Sequence, residues 1–396
     1  MLLPLFLAVS AVALLSNGQL VTAPSPLFTN TNLSCASACS QWSPCCATAG
    51  GTQGYCFNQP WACMTSEGCI PDSTFGKKCT PVPMCKSFRE EFNDPKVLID
   101  RYNYTNPDGA AKVWRQNPGA DNAEIVDGNL VLTLKWNDKE GKGAGATIPT
   151  LRFFQYGVIS ARIKVAGGQG VISSFITKTS TNDNVGDEID FEMLGAHPNE
   201  VQTNFYWNGN IDYTKGARYN FPEKAASTID DYHIYTIDWN ADRMIWLVDG
   251  SAIRTVTADS VKGKYPSQIS RIYFSVWDAG CGTLQGTVDW AGGATDWCAD
   301  ASKRGQTRKM YVDWLDVKCA SEDAADPKSY VAAIVSPTTG GGSGGSGGGV
   351  GAGNTELRTP TAGGGKGGNA GDAIGGGSAL SPALGLGAAA AVMALL

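Results

Sequence analysis

The sequence predicts an all-β domain over residues 87–320, a two-sheet antiparallel β-sandwich of the jelly-roll type, preceded by a small disulfide-rich N-terminal module. Segments that alternate apolar and polar residues recur along this region, and turn-forming pairs such as Asp127-Gly128 and Asp249-Gly250 adjoin them. Helical periodicity is weak throughout. Many short strands without intervening helices favour two packed sheets, which bend to leave one concave groove suited to a linear polymer.

The predicted strands follow in chain order. An alternating segment comes directly after Asp127-Gly128, and each of the later segments keeps the period of two that a half-buried strand shows. A hairpin leads to Asp249-Gly250, and two further segments complete the domain. The predicted strands are residues 129–136, 156–165, 235–239, 244–248, 271–277 and 310–317.

Acidic residues stand at alternate positions within residues 186–194. In a strand, Glu188, Asp190 and Glu192 share one face, while the apolar residues between them share the other. Three neighbouring carboxylates repel one another, so at least one pKa should be raised. One glutamate could then hold a proton near neutral pH while another stays ionised, as glycosidic bond cleavage requires. A solvated polar face and a divalent-metal site, such as one for calcium, are the alternative interpretations.

Both ends of the chain carry apolar segments. Residues 1–18 are typical of a secretory signal peptide, because an uncharged apolar stretch precedes small residues suited to cleavage. Residues 321–378 are rich in glycine and serine and predict a flexible tether. The tail 379–396 is typical of a lipid-anchor signal, and a frayed apolar terminus is the alternative. The expected attachment residue is Asn369, with Gly371 and Ser378 as alternatives. This order predicts a secreted protein at the cell wall or the outer face of the plasma membrane.

Charge and histidine content exclude several classes of function. The formal net charge is −6 and no cluster of lysine and arginine stands out, which argues against a nucleic-acid partner. Two histidines, His197 and His233, leave little room for a histidine-based zinc site or a Ser/His/Asp mechanism. We expect no cofactor. Asn32 and Asn103 each begin an N-glycosylation acceptor site in a secreted chain.

The twelve cysteines of a secreted chain are expected to form disulfides. Nine lie between Cys35 and Cys85 and three lie far downstream, so both counts are odd and one bridge should join the two regions. We predict Cys85–Cys319 as that bridge and Cys281–Cys298 within the large domain. The remaining eight cysteines would form four bridges in the N-terminal module.

The cysteine-rich module, residues 30–86, resembles the hevein-type chitin-binding domain of family 18. The resemblance rests on the Cys45-Cys46 doublet and on Tyr55 immediately before Cys56. The module departs from that family at Ala62, where an aromatic residue is expected. Chitin binding and a purely structural knot are the two hypotheses. The aromatic residues that could still stack on sugar rings are Tyr55, Phe57 and Trp61.

The segment Glu188-Ile-Asp-Phe-Glu192 resembles the E-x-D-x-E signature of glycoside hydrolase family 16. The agreement extends to the strand before the signature and to the hairpin after it. A later segment is similar to the fungal Crh subgroup of cell-wall transglycosylases, and the signal, cysteine-rich module and anchor fit that subgroup too. These additional segments lie within residues 156–164, 235–250 and 290–297.

This resemblance implies a retaining double displacement. Glu188 would be the nucleophile, Glu192 the general acid and then the general base, and Asp190 would hydrogen-bond Glu188 and help to set its ionisation. Retaining chemistry brings the two outer carboxyls within about 5–5.5 Å of each other. Residues i and i+4 of a strand have Cα atoms about 13 Å apart, so the long side chain of glutamate suits both outer positions.

Aromatic and polar residues near the acids are candidates for substrate binding. Each aromatic residue could instead pack in the core, which we expect for Trp246 and Trp314. The candidates are Asn204, Tyr206, Trp207, Trp277, Trp290 and Asp296.

The sequence and the resemblance together predict a fungal-type wall enzyme that cleaves chitin or a β-glucan and transfers the released chain to a β-glucan acceptor. The expected partners are wall polysaccharides, together with the membrane through the lipid anchor. Transfer, as opposed to hydrolysis, rests on the Crh resemblance. A hydrolytic endo-β-1,3-glucanase and a non-catalytic wall-binding protein are the alternatives.

Overall fold

The computed structural model describes residues 83–100, 114–116, 122–179, 186–222 and 227–322, together with 35, 39–40, 45–47, 54–57, 69–74, 76 and 79 of the cysteine-rich module. The predicted signal peptide, most of the tether and the whole tail lie outside these residues, as do Asn32, Trp61, Asn103 and Asn369. None of the described helices is long and apolar enough to cross a membrane.

Short strands dominate the described residues. The N-terminal part contains β1 (Cys45–Ala47), β2 (Tyr55–Phe57), β3 (Phe88–Glu90), β4 (Leu98–Asp100) and β5 (Trp114–Gln116). The body of the large domain contains β6 (Ala123–Val126), β7 (Asn129–Asn137), β8 (Lys142–Ala144), β9 (Ala146–Pro149), β10 (Gly157–Lys164), β11 (Val171–Lys178), β12 (Glu188–Leu194), β13 (Glu200–Tyr206), β14 (Ala217–Asn220), β15 (His233–Trp239), β16 (Arg243–Val248), β17 (Ser251–Thr257), β18 (Arg271–Asp278) and β19 (Thr307–Cys319). Two short helices, α1 (Gln285–Trp290) and α2 (Asp296–Ala299), lie between the last two strands.

Two antiparallel sheets form the large domain. Among the described strands, the larger sheet has the order β17-β16-β15-β10-β19-β7-β6, with β3 added beside β19 and β8 beside β7. The smaller sheet has the order β14-β13-β12-β11-β18-β9. β1 pairs with β2 and β4 pairs with β5, each as a separate two-stranded sheet. The arrangement confirms the predicted all-β sandwich.

The main core contains the inward faces of both sheets. On β10 the buried residues alternate with half-buried ones, as the period of two requires. β12 contributes its apolar residues to the same core. All eight residues of β11 and of β18 are buried, which makes these two strands the centre of the smaller sheet. Core residues of β10, β12 and β15 are Ile159, Ala161, Ile163, Ile189, Phe191, Met193, Tyr235, Ile237 and Trp239.

Each of the six predicted strands corresponds to an observed strand whose ends lie within three residues of the prediction. The two helices were not predicted. At six and four residues, α1 and α2 are too short to show a helical period in the sequence.

Disulfides tie the large domain at two places. Cys85–Cys319 joins the chain just before β3 to the last residue of β19, and Cys281–Cys298 joins the segment after β18 to α2. These are the two pairings predicted for this domain. Described bridges of the module are Cys35–Cys46, Cys39–Cys56 and Cys69–Cys79.

Removing the Cys85–Cys319 bridge by a double alanine substitution should destabilise the large domain. The bridge spans 234 residues, and closing so long a loop restricts the unfolded chain strongly, so we expect a loss of about 2–5 kcal/mol in the free energy of unfolding. Urea titration of the non-reduced proteins measures it. The matched control removes Cys281–Cys298, which spans 17 residues and should cost less. An equal or larger loss in the control would contradict the expectation.

Candidate active site

Strand β12 places the three acids on one face of the smaller sheet. Glu188 and Glu192 are half-buried and Asp190 is buried. The apolar residues that alternate with them point the other way, into the main core. Burial of that apolar face therefore fixes the register that presents all three carboxyls together.

The neighbouring strands extend this polar face. β13 pairs with β12 so that Tyr206, Asn204 and Gln202 lie directly opposite Glu188, Asp190 and Glu192, respectively. On the other side, β11 pairs with β12 so that the partners of the same three acids are Lys178, Ile176 and Ser174. Directly opposed residues of an antiparallel pair share a face, so these side chains surround the acids.

Two of the acids, Asp190 and Glu192, have raised pKa values. Burial, followed by the charges of Glu188 and Glu192 and a hydrogen bond with Glu188, raises the pKa of Asp190 well above its ordinary value. Burial and the charge of Glu188 raise the pKa of Glu192 to about 8. Near neutral pH Glu192 therefore holds its proton, and the raised pKa of Asp190 favours its protonated form, which donates its hydrogen bond to Glu188. Protonation also lowers the free-energy cost of burying Asp190 Oδ1, which has no hydrogen-bond partner among the described residues.

Lys178, the last residue of β11, forms an ion pair with Glu188. Its Nζ lies 3.2 Å from Glu188 Oε2, and the two side chains are only 5% and 12% exposed. The ion pair brings a buried ammonium directly against this carboxyl. Lys178 was not predicted as a site residue, because its contact with Glu188 depends on the pairing of two strands and leaves no local pattern in the sequence.

Residues packed in the core hold the middle of β12 on the side opposite the acids. The indole Nε1 of Trp246 donates a hydrogen bond of 3.0 Å to the backbone oxygen of Asp190, so Trp246 packs in the core as expected. The Arg254 guanidinium lies 4.7 Å from the Trp246 ring and donates a hydrogen bond of 2.9 Å to the backbone oxygen of Thr203 on β13. Burial lowers the pKa of Arg254 to about 10, and the charge of Asp190 opposes this shift. These contacts tie β12 and β13 to the larger sheet.

The start of β12 is fixed by Asp187. Its buried carboxylate accepts hydrogen bonds from the backbone N–H groups of Asn208, Ser267 and Gln268, at 2.8, 2.6 and 2.9 Å. Gly186 precedes it with a left-handed φ of 87°, where a Cβ would lie 2.6 Å from the Cβ of Thr179. Glu188 therefore begins its strand from a rigidly held turn.

Asn204 and Tyr206 lie beside the acids as predicted for residues of one strand face. The Asn204 amide donates a hydrogen bond of 2.9 Å to the Tyr206 hydroxyl, and both side chains are mostly buried. Burial, with the charges of the three acids, raises the pKa of Tyr206, so its hydroxyl keeps its proton. Their role in substrate binding stays a prediction.

Trp277 does not offer an open stacking surface. It is only 1% exposed, because Trp290 of α1 stacks on it with ring centroids 6.1 Å apart and planes inclined by 23°. Trp290 in turn donates a hydrogen bond of 2.9 Å to Gln202 on β13. The expectation that Trp277 is a sugar platform is therefore wrong in this structure, and Trp277 instead supports Trp290. Trp290 reaches over the sheet near Glu192 and stays a candidate for substrate contact.

Trp207 follows β13, and Asp296 is the first residue of α2. Trp207 is half-buried and precedes the turn at Asn208-Gly209, whose Gly209 N–H donates a hydrogen bond of 2.6 Å to the backbone oxygen of Gly186. Trp207 therefore lies beside the start of β12 and stays a candidate. Asp296 forms an ion pair with Arg308 on β19 of the larger sheet. Its carboxylate is thus engaged by a cation of the larger sheet, and its role in substrate binding stays a prediction.

These groups are poor ligands for a metal ion. Glu192 holds a proton near neutral pH, the raised pKa of Asp190 favours its protonated form, and the ammonium of Lys178 lies against Glu188. The three acids therefore offer little negative charge to a divalent cation. Within the described residues, one group of side chains has metal-ligand spacing: Cys35, Cys39 and Cys46. Their sulfurs are engaged in disulfides.

The sequence model of the glycosyl hydrolases family 16 matches residues 110–299, a segment that contains all three acids and Lys178. The chain belongs to glycosyl hydrolase family 16. Its family 16 domain extends beyond the matched segment at the C-terminal side, because β19 completes the larger sheet.

Two relatives of this family 16 chain are fungal proteins. It is 34% identical to Crh-like protein 2 of Aspergillus fumigatus over an alignment of 279 residues. This alignment covers 67% of this chain and 57% of that protein. It is 31% identical to Congo red hypersensitive protein 2 of Saccharomyces cerevisiae over an alignment of 308 residues. This alignment covers 75% of this chain and 61% of that protein. The chain thus spans about three fifths of the length of these relatives. A solved structure described as Crh5 transglycosylase in complex with NAG is 25% identical with a TM-score of 0.49, over 61% of this chain and 87% of that one.

Proposed function

We propose that this family 16 protein is a retaining glycosidase and transglycosylase of the fungal cell wall. It would cleave chitin or a β-glucan and transfer the released chain to a β-glucan acceptor. The observation that carries the proposal is the difference between two acids of β12. Glu188 is paired with a cation, while Glu192 on the same face holds a proton near neutral pH. One ionised and one protonated carboxyl on one sheet face are the two groups that a double displacement needs.

The proposed reaction has two steps. In the first, a Glu188 carboxylate oxygen bonds to the anomeric carbon, the glycosidic bond breaks, and Glu192 gives its proton to the leaving oxygen. In the second, the acceptor hydroxyl gives its proton to Glu192 and attacks the same carbon, which releases Glu188 as a carboxylate. Asp190 donates its hydrogen bond to Glu188 in the free enzyme and so orients the nucleophile.

Hydrolysis and transfer share the covalent intermediate and differ only in the acceptor. The similarity to Crh-like protein 2 and the Crh-like segment at residues 290–297 support transfer. Trp290 donates a hydrogen bond to Gln202, the direct partner of Glu192, and an aromatic side chain at this place would favour a sugar over water as the acceptor.

Product sizing tests the proposal. The full-length protein is incubated with chitin oligomers or unlabelled β-1,3-glucan as donor and a fluorescently labelled β-glucan oligosaccharide as acceptor. We expect labelled products longer than the acceptor. Shortened donor without labelled extension would indicate the hydrolytic endo-β-1,3-glucanase, and binding without any bond cleavage would indicate a wall-binding protein.

We also propose that the protein is secreted, anchored by a lipid at its C-terminal side, and carries a chitin-binding module. The disulfides of the described residues support an oxidising compartment. Tyr55 is 57% exposed and supports an aromatic contact with sugar. Release of the protein from intact cells by a phosphatidylinositol-specific phospholipase tests the anchor, and loss of retention on a chitin column after Tyr55→Ala tests the module.

A further inference from the structure

The Lys178–Glu188 ion pair lies inside the sheet face that carries the acids. Lys178 ends β11, Glu188 begins β12, and the two are direct partners in the antiparallel register. With a separation of 3.2 Å and exposures of 5% and 12%, the pair is poorly screened by water. The charge of the ammonium therefore acts strongly on every nearby carboxyl.

The charged and titratable groups around this pair come from four strands. β12 contributes Asp190 and Glu192, and β13 contributes Tyr206, the direct partner of Glu188. On β18, Arg271 is the direct partner of Lys178 and stacks on Phe153 with a separation of 4.5 Å. From β17, Arg254 interacts electrostatically with Asp190.

We propose that Lys178 is a positioning residue of the reaction, whose ammonium pairs with Glu188 in the free enzyme and compensates the charge of Glu192 in the glycosyl-enzyme intermediate. The inference rests on the proposed function, because it requires that intermediate. It identifies a residue outside the acidic signature on which both steps depend.

The charges balance in both states. Before reaction Lys178 and Glu188 form an ion pair and Glu192 holds a proton, so these three groups sum to zero. In the first step Glu188 becomes a neutral ester as its oxygen bonds to the anomeric carbon, and Glu192 becomes negative as its proton leaves with the departing oxygen. The sum is again zero. The second step returns a proton from the acceptor hydroxyl to Glu192 and breaks the ester bond to regenerate the Glu188 carboxylate.

Compensation matters because the cluster is mostly buried. A charge that appears without a partner in such a place is costly, whereas a charge that moves between two carboxyls beside a fixed ammonium is not. The charge of Lys178 lowers the pKa of both Asp190 and Glu192, against the larger effect of burial, which agrees with a cation that reaches all three acids. Without Lys178, loss of the proton from Glu192 becomes harder.

Lys178→Met tests the inference, because methionine keeps the length of the side chain and removes its charge. The pH dependence of kcat/KM for transfer is compared in the wild type, Lys178→Met, the charge-conserving Lys178→Arg and the control Lys135→Met, an exposed strand lysine of the larger sheet. We expect Lys178→Met to shift the alkaline limb upward by about one pH unit and to lower kcat/KM at its optimum by about 100-fold. Lys178→Arg should keep the limb in place, and Lys135→Met should match the wild type.

The outcomes separate this inference from the proposed function. A wild type that neither cleaves nor transfers any glycan refutes the proposed function. If the wild type is active and the alkaline limb of Lys178→Met lies where it does in the wild type, the inference alone is refuted. A merely structural defect lowers the rate without shifting the limb. Lys178→Gln gives a second neutral replacement where the methionine variant does not fold, and its limb is judged by the same criterion.

Discussion

Glu188→Gln is expected to lower the rate of glycan cleavage and transfer by about 10⁴-fold or more, as loss of a catalytic nucleophile does in other enzymes. The amide has nearly the shape of the carboxylate, but it is a poor nucleophile and carries no charge to stabilise the positive anomeric carbon. It also leaves the buried ammonium of Lys178 without its 3.2 Å partner. Turnover of the full-length protein, followed by labelled-product sizing, measures the effect.

The control for this variant is Glu124→Gln on β6. Glu124 also faces a lysine, with 3.8 Å between its Oε1 and Lys309 Nζ, but it lies on the larger sheet and is 56% exposed. We expect unchanged turnover there, because an exposed ion pair contributes at most about 1 kcal/mol to stability. Retention of more than about 1% of wild-type turnover in folded Glu188→Gln would contradict the role of Glu188 as nucleophile.

Strand periodicity explains why the central part of the site could be predicted from the sequence. The segment 188–194 alternates acids with large apolar residues, and burial of the apolar set leaves one possible face for the acids. Repulsion among neighbouring carboxylates similarly predicts a raised pKa. In the structure the pKa of Asp190 and that of Glu192 are raised, by burial first and by this repulsion second. Both inferences use only residues close together in the chain.

Contacts between distant strands explain most of what the sequence did not reveal. Lys178 and Glu188 meet because β11 and β12 pair in one register, and the segment between them carries no sign of that register. Trp290 covers Trp277 because α1 folds back over the smaller sheet, which turns an aromatic residue at a strand end into a buried one. Asp296 pairs with Arg308 of the larger sheet, a contact that the residues around it in the sequence do not indicate.

The long-range disulfide is an exception to this rule. Cys85 and Cys319 are far apart in sequence, yet odd counts of cysteine in the two regions require a bridge between them. The position of Cys85 just before the first strand of the domain, and of Cys319 at the end of the last, then makes the pair natural. The cysteine counts thus predicted a tertiary contact that strand patterns could not predict.

Glu192→Gln is expected to lower turnover of natural glycans by about 10²–10⁴-fold and to abolish the alkaline limb of the pH profile. In the wild type the pKa of Glu192 is raised to about 8, so the proton needed by the leaving group is present below that pH and lost above it. Activity of the wild type should therefore fall through about pH 8. An aryl glycoside, whose leaving group needs no proton, should restore the first step in the variant. Kinetics with both substrate types measure this.

The same raised pKa predicts the pH dependence of stability. The pKa of Glu192 rises from an ordinary value of 4.5 to about 8 on folding, so the folded protein holds a proton that the unfolded chain releases. Its contribution to stability is full below about pH 4.5 and is lost as pH rises through 8. Glu192→Gln removes this dependence, so between these pH values the wild type should lose more of its free energy of unfolding than the variant does. Parallel losses in urea titrations of the two proteins would show that Glu192 is already ionised at neutral pH and cannot be the general acid.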